Sequence, residues 1–546
     1  MRLKSSFVVF AIFSLALAIR IYKLDFQSFW MDEYYNINLA LKPNFLWGGP
    51  DNVPPLYINL LKLWLAVFPV SEITARLLGA LLGATSIFAI YLLGKELFGK
   101  PAGILASFFL ALSATHVDYC QEAKYYSLAL LLLMFMQLHY VRFLKYRRVT
   151  NLLSYGVFSV LTFYAHYYFV FLFLIQGAHL WFFRKRFQNE IPKIIRVQII
   201  AFLLFLPCVF YLFFNPYKAT QSLAWLSKPN PDIFWGTAFA ILTGQGWQNI
   251  APGIAVCAFF LNVFIIFVIA WKRNLFKFDL FASLTFLWFF LPFALFYLFS
   301  VTFFSIFHTR YLLMSLPAFF LFLSWLMTSG LPVAIEGNAE KMMLRRLFAA
   351  GIGIFLALIL HLTYGHALIE KMYNGQAPPF LNNLIIGQAS WPLESYFKKA
   401  DTIFCATLFL ALPPFIFLIR PQKFQYLFFY IILACVLLMA NVTTLLHYFN
   451  HPVRPQIREA AGWLKKNVQR DDKILIKGYY AQKKVFDFYF RRNGSANFIA
   501  IDQERQTPPR NGYRWIAETY YDMPSNGKTS LIKSFLGVEI YRQDEK

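Results

Sequence analysis

Apolar runs of about twenty residues recur along most of this chain, separated by short polar connections, the pattern of helices that cross a bilayer. The first covers about 6–22, and others lie near 74–96, 102–116, 125–142, 150–164, 168–183, 194–213, 251–271, 280–299, 311–328, 347–364, 402–419 and 424–445. The segment LYINLLKLWLAVF (56–68) is also apolar, but it is short, contains Lys62 and is fenced by Pro55 and Pro69. Laid along the interface, it leaves every basic cluster on the cytoplasmic side, among them those at 142–148, 184–186 and 272–277. Laid across the bilayer, it turns all of them outward, against the bias of basic residues towards the cytoplasm. The pattern therefore predicts an α-helical polytopic membrane protein with about thirteen transmembrane helices. Residues 1–446 form the membrane domain, 24–73 its first extracytoplasmic connection, and 447–546 an extracytoplasmic tail. In the tail, REAAGWLKKNV and KKVFDFYFRR read as helices, DDKILIKG, NFIAI and VEIYR as strands, and TSLIKSFLG as a further helix. That alternation predicts a small α/β domain.

Composition agrees. The 546 residues are 59% hydrophobic and 14% charged, where a soluble domain carries about 25% charged. The net charge of +24 comes largely from the cytoplasmic loops, so it reflects topology and not nucleic-acid binding. Cys120, Cys208, Cys257, Cys405 and Cys435 have no metal or redox spacing and read as packing residues. The basic start and apolar core of MRLKSSFVVFAIFSLALAI read as a retained signal-anchor, because no small-x-small cleavage pattern follows. The tail has no glycine-rich phosphate loop. Compact loops fit a prokaryotic plasma (inner) membrane.

Candidate chemistry gathers at the outer ends of the spans. Asp32 and Glu33 follow the first span, Asp51 precedes Pro54-Pro55-Leu56-Tyr57, and Arg76 opens the next span. HVDYCQEAKYYSL brings His116, Asp118, Glu122, Lys124 and Tyr125, YAHYYF brings His166, and FHTRYLLMSLP brings His308, Arg310 and Tyr311. Carboxylates beside cations at a membrane edge suit an acidic catalyst acting on an anionic substrate. Each also has a plainer reading. Asp32 and Glu33 sit where acids cap a helix, Arg76 and Arg310 where basic side chains snorkel, and Gly79 and Gly83 where helices cross closely. The histidines leave a divalent metal open without requiring one.

The order of these motifs resembles the GT-C membrane glycosyltransferases: an Asp-Glu pair after the first span, PPLY, ARLLGALLG, QEAKYYSL and a late RYLLMSLP. The branch it resembles is the protein mannosyltransferase and aminoarabinose transferase superfamily, glycosyltransferase family 39 and its bacterial relatives. The resemblance implies a polyprenyl-phosphate-linked sugar donor, a protein, lipid or glycan acceptor, and transfer on the extracytoplasmic face. It maps the catalytic acids to Asp32, which acts on the acceptor hydroxyl, and Glu33. Asp51, Tyr57, Arg76, Asp118, Glu122, Lys124, Tyr125, His166, Arg310 and Tyr311 fall among the substrate-binding positions, with Lys124 where QEAR-type relatives carry arginine. This chain departs from the pattern at Val53, where relatives often place a charged residue or histidine before the double proline. The expected reaction is a single inverting displacement. A transporter or lipid flippase is the alternative from another class; it predicts charges near the bilayer midplane and repeated halves, neither of which the sequence displays.

Overall fold

The computed structural model describes residues 5–42, 53–214, 223, 226–244, 280–329, most of 434–468, and 474–477, 480–491, 499–500, 515–519, 529–536 and 538–543. The predicted spans near 251–271, 347–364 and 402–419, together with Asp51, Cys257, Cys405 and Cys435, lie outside the described residues.

Helix α1 (Ser5–Ile21) leads through a short connection to α2 (Met31–Ala40). Helix α3 (Pro55–Val67) has 13 residues, about 20 Å of rise, which falls short of a bilayer's hydrocarbon thickness of about 30 Å. Its Lys62 reaches back to the Lys42 carbonyl at 3.1 Å, and its Trp64 indole donates to the Thr74 carbonyl at 2.8 Å. Helix α4 (Glu72–Phe98) starts where the Ser71 hydroxyl accepts the Thr74 N–H at 3.1 Å and stops at Gly99, whose φ of 94° suits glycine. Pro101 then opens α5 (Lys100–Leu112), which is followed by α6 (Ala114–Cys120).

The predicted span 102–116 is not one straight helix: α5 and α6 meet at a bend of 62°. Ser113 restarts the chain by accepting the His116 N–H at 3.3 Å. The carbonyls stranded at the end of α5 need new donors. Buried Arg20 of α1 supplies them, donating to Leu110 O at 3.0 Å and Ala111 O at 3.1 Å.

Helices α7 (Tyr126–Tyr146), α8 (Val149–Ala165), α9 (Leu172–Phe182) and α10 (Ile191–Phe214) follow, with a tight turn over Tyr167–Phe171 between α8 and α9. Helix α11 (Pro231–Thr243), which the pattern did not predict, is capped by Asn230. Next come α12 (Leu280–Thr302), the short α13 (Thr309–Leu312) and α14 (Leu316–Ser329). Among the described residues five helices are long and apolar enough to cross a membrane, and the bent α5–α6 pair makes a sixth candidate. Helical residues continue at 448–450, past the expected domain boundary.

The tail is an α/β domain: α15 (Ile457–Asn467), β1 (Ile474–Lys477), α16 (Tyr480–Arg491), β2 (Ile499–Ala500), β3 (Trp515–Thr519), β4 (Thr529–Phe535) and β5 (Val538–Gln543). The sheet order is β2-β1-β3-β5-β4, with β1 parallel to β2 and β3, and β5 antiparallel to β3 and β4. The expected helix TSLIKSFLG is instead β4. It pairs with β5 across a tight turn after Phe535, and the ladder's register shifts between Leu531 and Lys533. Cross-strand pairing overrides local propensity there. Buried Ile457, Ala460 and Leu464 of α15 and Val485, Phe486 and Phe490 of α16 pack with Ile474 and Ile476 of β1.

Candidate active site

Trp30 is extended and caps α2, so Asp32 and Glu33 fall in the first helical turn. Adjacent helical positions point about 100° apart, and the two acids accordingly meet different surroundings. Glu33 points inwards and is fully buried. Its carboxylate accepts from Arg76 Nε at 2.8 Å and Nη2 at 2.7 Å, from the Ala123 N–H at 3.0 Å, from Arg454 at 3.3 Å and from the Trp30 N–H at 3.4 Å. Burial pushes its pKa up, but Arg76 and then Arg454 more than offset this and hold it below the ordinary range.

Arg76 does not snorkel. It is buried, and its guanidinium also donates to the carbonyls of Leu24, Gln27 and Ser28 at 2.7, 2.8 and 3.0 Å, so all five of its N–H groups are used within the protein. Glu33 and Arg76 thus form a fully bonded buried pair that joins α4 to the start of α2. Neither has bonding capacity left over for a substrate.

Asp32 points the other way, and its side chain is 25% exposed. Its Oδ2 accepts from Lys124 Nζ at 2.5 Å and from Arg310 Nη1 at 3.2 Å. Burial raises its pKa, but Lys124 and then Arg310 hold it below the usual carboxylate range, so it is ionised at neutral pH. Three segments far apart in the chain meet here. Lys124 comes from the α6–α7 connection and Arg310 from the first turn of α13, where His308 caps the Arg310 N–H at 3.3 Å. Trp30 forms the floor, its ring 4.9 Å from Lys124 Nζ, 5.7 Å from the Arg310 guanidinium and 5.9 Å from that of Arg454.

The α6–α7 connection is fastened from several sides. Gln121 donates to the carbonyls of Arg20 and Tyr22, both at 2.9 Å, and Asn36 of α2 donates to Ala123 O at 3.0 Å. Gly79 and Gly83 do mark a close approach, but to the end of α6: a Cβ on Gly79 would stand 2.8 Å from Cys120 O, and one on Gly83 2.1 Å from Cys120 Sγ.

Asp118 and Glu122 lie behind Lys124 and face Arg454, which donates to them at 3.1 and 3.0 Å. Burial, opposed by Arg454 and Lys124 and reinforced by Asp118 and Glu33, pushes the Glu122 carboxyl up to about 7. Four acids, Asp32, Glu33, Asp118 and Glu122, thus face four basic side chains, Arg76, Lys124, Arg310 and Arg454. Aromatic rings close the side of Asp32 that faces the bundle. Tyr125 stands 5.3 Å from the His166 ring, and Tyr311 stands 6.2 Å from it and 4.8 Å from Tyr168. Among the described residues, Tyr57 Oη, Glu122 Oε2 and both ring nitrogens of His166 are buried with no hydrogen-bond partner. Among the described residues no three His, Cys, Asp or Glu side chains are grouped to hold a metal ion.

The sequence pattern did not single out Trp30 or Arg454. Arg454 sits in HPVRP, an arginine between two prolines at the join of the membrane helices and the tail, and that punctuation was the available signal.

Residues 52–211 match the family model described as dolichyl-phosphate-mannose-protein mannosyltransferase, a segment that includes Arg76, Lys124 and His166. Among curated proteins none matches the chain at a significant level. The crystal structure of ArnT from Cupriavidus metallidurans in the apo state aligns with a TM-score of 0.55 at 11% identity, covering 98% of this chain and 97% of that one. The same protein bound to undecaprenyl phosphate aligns at 0.53, again at 11% identity over 98% and 97%. The resemblance to the GT-C glycosyltransferases therefore holds, locally in sequence and across nearly the whole chain in fold.

Proposed function

We propose that this protein, with its GT-C fold, is an integral membrane glycosyltransferase. In this reading it moves a sugar from a polyprenyl-phosphate-linked donor to an acceptor hydroxyl on the extracytoplasmic face, with inversion at the anomeric carbon. One observation carries the proposal: Asp32, ionised and partly exposed, is held between Lys124 and Arg310, cations from two distant segments.

A donor phosphate entering this place is attracted to Lys124 and Arg310 and competes with Asp32 for them. As the cations turn to the phosphate, Asp32 loses the partners that depress its pKa and becomes a stronger base. It then takes the proton of the acceptor hydroxyl as that oxygen bonds to the anomeric carbon. The bond from that carbon to the phosphate oxygen breaks, and the electron pair leaves with the polyprenyl phosphate. Lys124 and Arg310 stabilise the second negative charge that develops there. Of the acids expected to be catalytic, Asp32 takes the role of base, whereas Glu33 and Arg76 support it through the fold. The residues of the cluster come from element ends and connections, which favours surface chemistry over passage of a solute through the midplane.

The test is purified protein in lipid nanodiscs with a panel of polyprenyl-phosphate sugars, with products read by mass spectrometry, alongside cell-surface glycans from cells with and without the gene. Sugar transfer that Asp32→Asn abolishes supports the proposal. Solute uptake into vesicles without any glycosyl product would replace it with the transporter reading.

A further inference from the structure

The C-terminal domain is joined to the membrane helices by an extended strap, residues 451–456, stiffened by Pro452 and Pro455. Gln27 anchors it, its Oε1 accepting from the Val453 and Arg454 N–H groups at 3.1 and 3.4 Å. The domain behind it grips the segment that leads into α2. Arg458 donates to Asp25 O at 2.6 Å and Phe26 O at 3.1 Å, Ser28 donates to Glu459 at 2.7 Å, and the Phe29 N–H donates to the Tyr489 hydroxyl at 2.8 Å. The Tyr489 hydroxyl in turn donates to Glu72 at 2.9 Å. Held this way, Arg454 is 8% exposed and reaches Glu33, Asp118 and Glu122 together.

We infer that Arg454 is a positioning residue for the transfer site, and that the C-terminal domain is thereby part of the catalytic apparatus and not a separate binding module. The inference rests on the proposed transfer reaction. Arg76 is fully committed to Glu33 and the loop carbonyls, so Arg454 is the cation that Asp118 and Glu122 share. Without it, the charge the acids retain acts on Lys124, the other cation that faces Glu122. Lys124 is then drawn off Asp32, and Asp32 keeps only Arg310. A displacement of about 1 Å at a reacting group costs on the order of 100-fold in rate, so the loss falls on kcat.

The charges facing Glu122 are Arg454 on the strap, Lys124 on its own loop, Asp118 on α6 and Glu33 on α2, and the phenols of Tyr57, Tyr126 and Tyr448 also border this cluster. With Arg454 gone, the acids bind protons up to a higher pH, and protonation relieves the pull on Lys124. The deficit therefore shrinks as pH falls.

The experiment compares full-length wild type, Arg454→Met, the double variant Arg454→Met with Glu122→Gln, and Asp32→Asn, in nanodiscs with a polyprenyl-phosphate sugar, from pH 6 to pH 8. Expected are a roughly 10- to 100-fold fall in kcat for Arg454→Met at pH 8 with a smaller change in donor KM, a lesser deficit at pH 6, and partial recovery of kcat in the double variant. Wild-type kcat in Arg454→Met overturns the inference, and so does a deficit that is constant with pH and unrelieved in the double variant. Should Arg454→Met not fold, Arg454→Gln decides by the same reading: a kcat deficit larger at pH 8 than at pH 6 supports the inference, and wild-type kcat at both overturns it. No glycosyl product from wild type would refute the transfer reading itself, whereas a wild type that transfers beside a fully active Arg454→Met refutes only the role of Arg454.

Discussion

Asp32→Asn has two consequences of opposite sign, and together they separate a catalytic role from a structural one. The amide cannot take a proton from the acceptor, so kcat falls by the worth of a general base, about 100- to 10,000-fold. The same change removes the anion that holds Lys124 and Arg310 before the donor arrives. Both cations lie within 3.2 Å of Asp32 Oδ2. A phosphate oxygen bound on their far side therefore sits about 6 Å from the carboxylate. At an effective dielectric of 20 that repulsion is about 3 kcal/mol. Partial exposure of Asp32 reduces it to roughly 1–2 kcal/mol, or about 5- to 30-fold in donor affinity.

The Asp32→Asn enzyme is thus expected to bind a polyprenyl-phosphate sugar more tightly than wild type while transferring it far more slowly. Equilibrium binding of a labelled donor in nanodiscs gives the first quantity and single-turnover transfer gives the second. Weaker donor binding with slow transfer would mean that the site had merely been disrupted. Transfer at the wild-type rate would mean that another group is the base.

Arg310→Ala removes a charge-assisted contact worth about 1.5–3 kcal/mol and should raise donor KM about 10- to 100-fold, read from initial rates; an unchanged KM would place Arg310 outside the phosphate site. Glu33→Gln leaves Arg76 buried without its counter-charge and should cost about 3–5 kcal/mol, visible as a fall in Tm much larger than that of Asp32→Asn. The folded pKa of Glu122 is raised above its unfolded value, so the folded state binds the extra proton and stability from this group declines as pH rises from about 4.5 to about 7; Glu122→Gln should remove that slope from Tm against pH. Gly83→Ala should lower Tm and be partly rescued by Cys120→Ala, whose removed sulfur is the nearest obstacle. Gly79→Ala, which meets the backbone oxygens of Cys120 and Glu122, should gain nothing from the same second change.

What was legible in the sequence follows from how costly each feature is in a membrane. Twenty-residue apolar runs have few other uses, so the membrane domain could be read from them. Charges at span ends are expensive, so the residues of the site could be gathered before their contacts were known. Their division of labour could not. Which of two adjacent acids turns inwards depends on where α2 starts, and that is set by Trp30 and by the Arg76 bonds to the preceding carbonyls. Nor could Arg454, because the carboxylates it binds lie 421, 336 and 332 residues earlier in the chain. The break in the span 102–116 depends on Arg20, on another helix, donating to the end carbonyls of α5. The misread β4 depends on its partner β5.

The site thus has two layers built on different electrostatic terms. Behind, Glu33 and Arg76 are fully desolvated, and such a pair is tolerated only when every lone pair and N–H is answered, as it is here. That completeness makes it rigid and leaves it nothing to offer a substrate. In front, Asp32 shares its cations through a single oxygen in a partly hydrated place, so an incoming anion can compete for them at modest cost. A layer that cannot yield supports one that must, and the roughly 100° between neighbouring positions on α2 places one acid in each. In the proposed reaction the donor phosphate would then do more than bind: by drawing Lys124 and Arg310 to itself, it would ready the carboxylate that the acceptor needs, so the base would strengthen only once a sugar is in place.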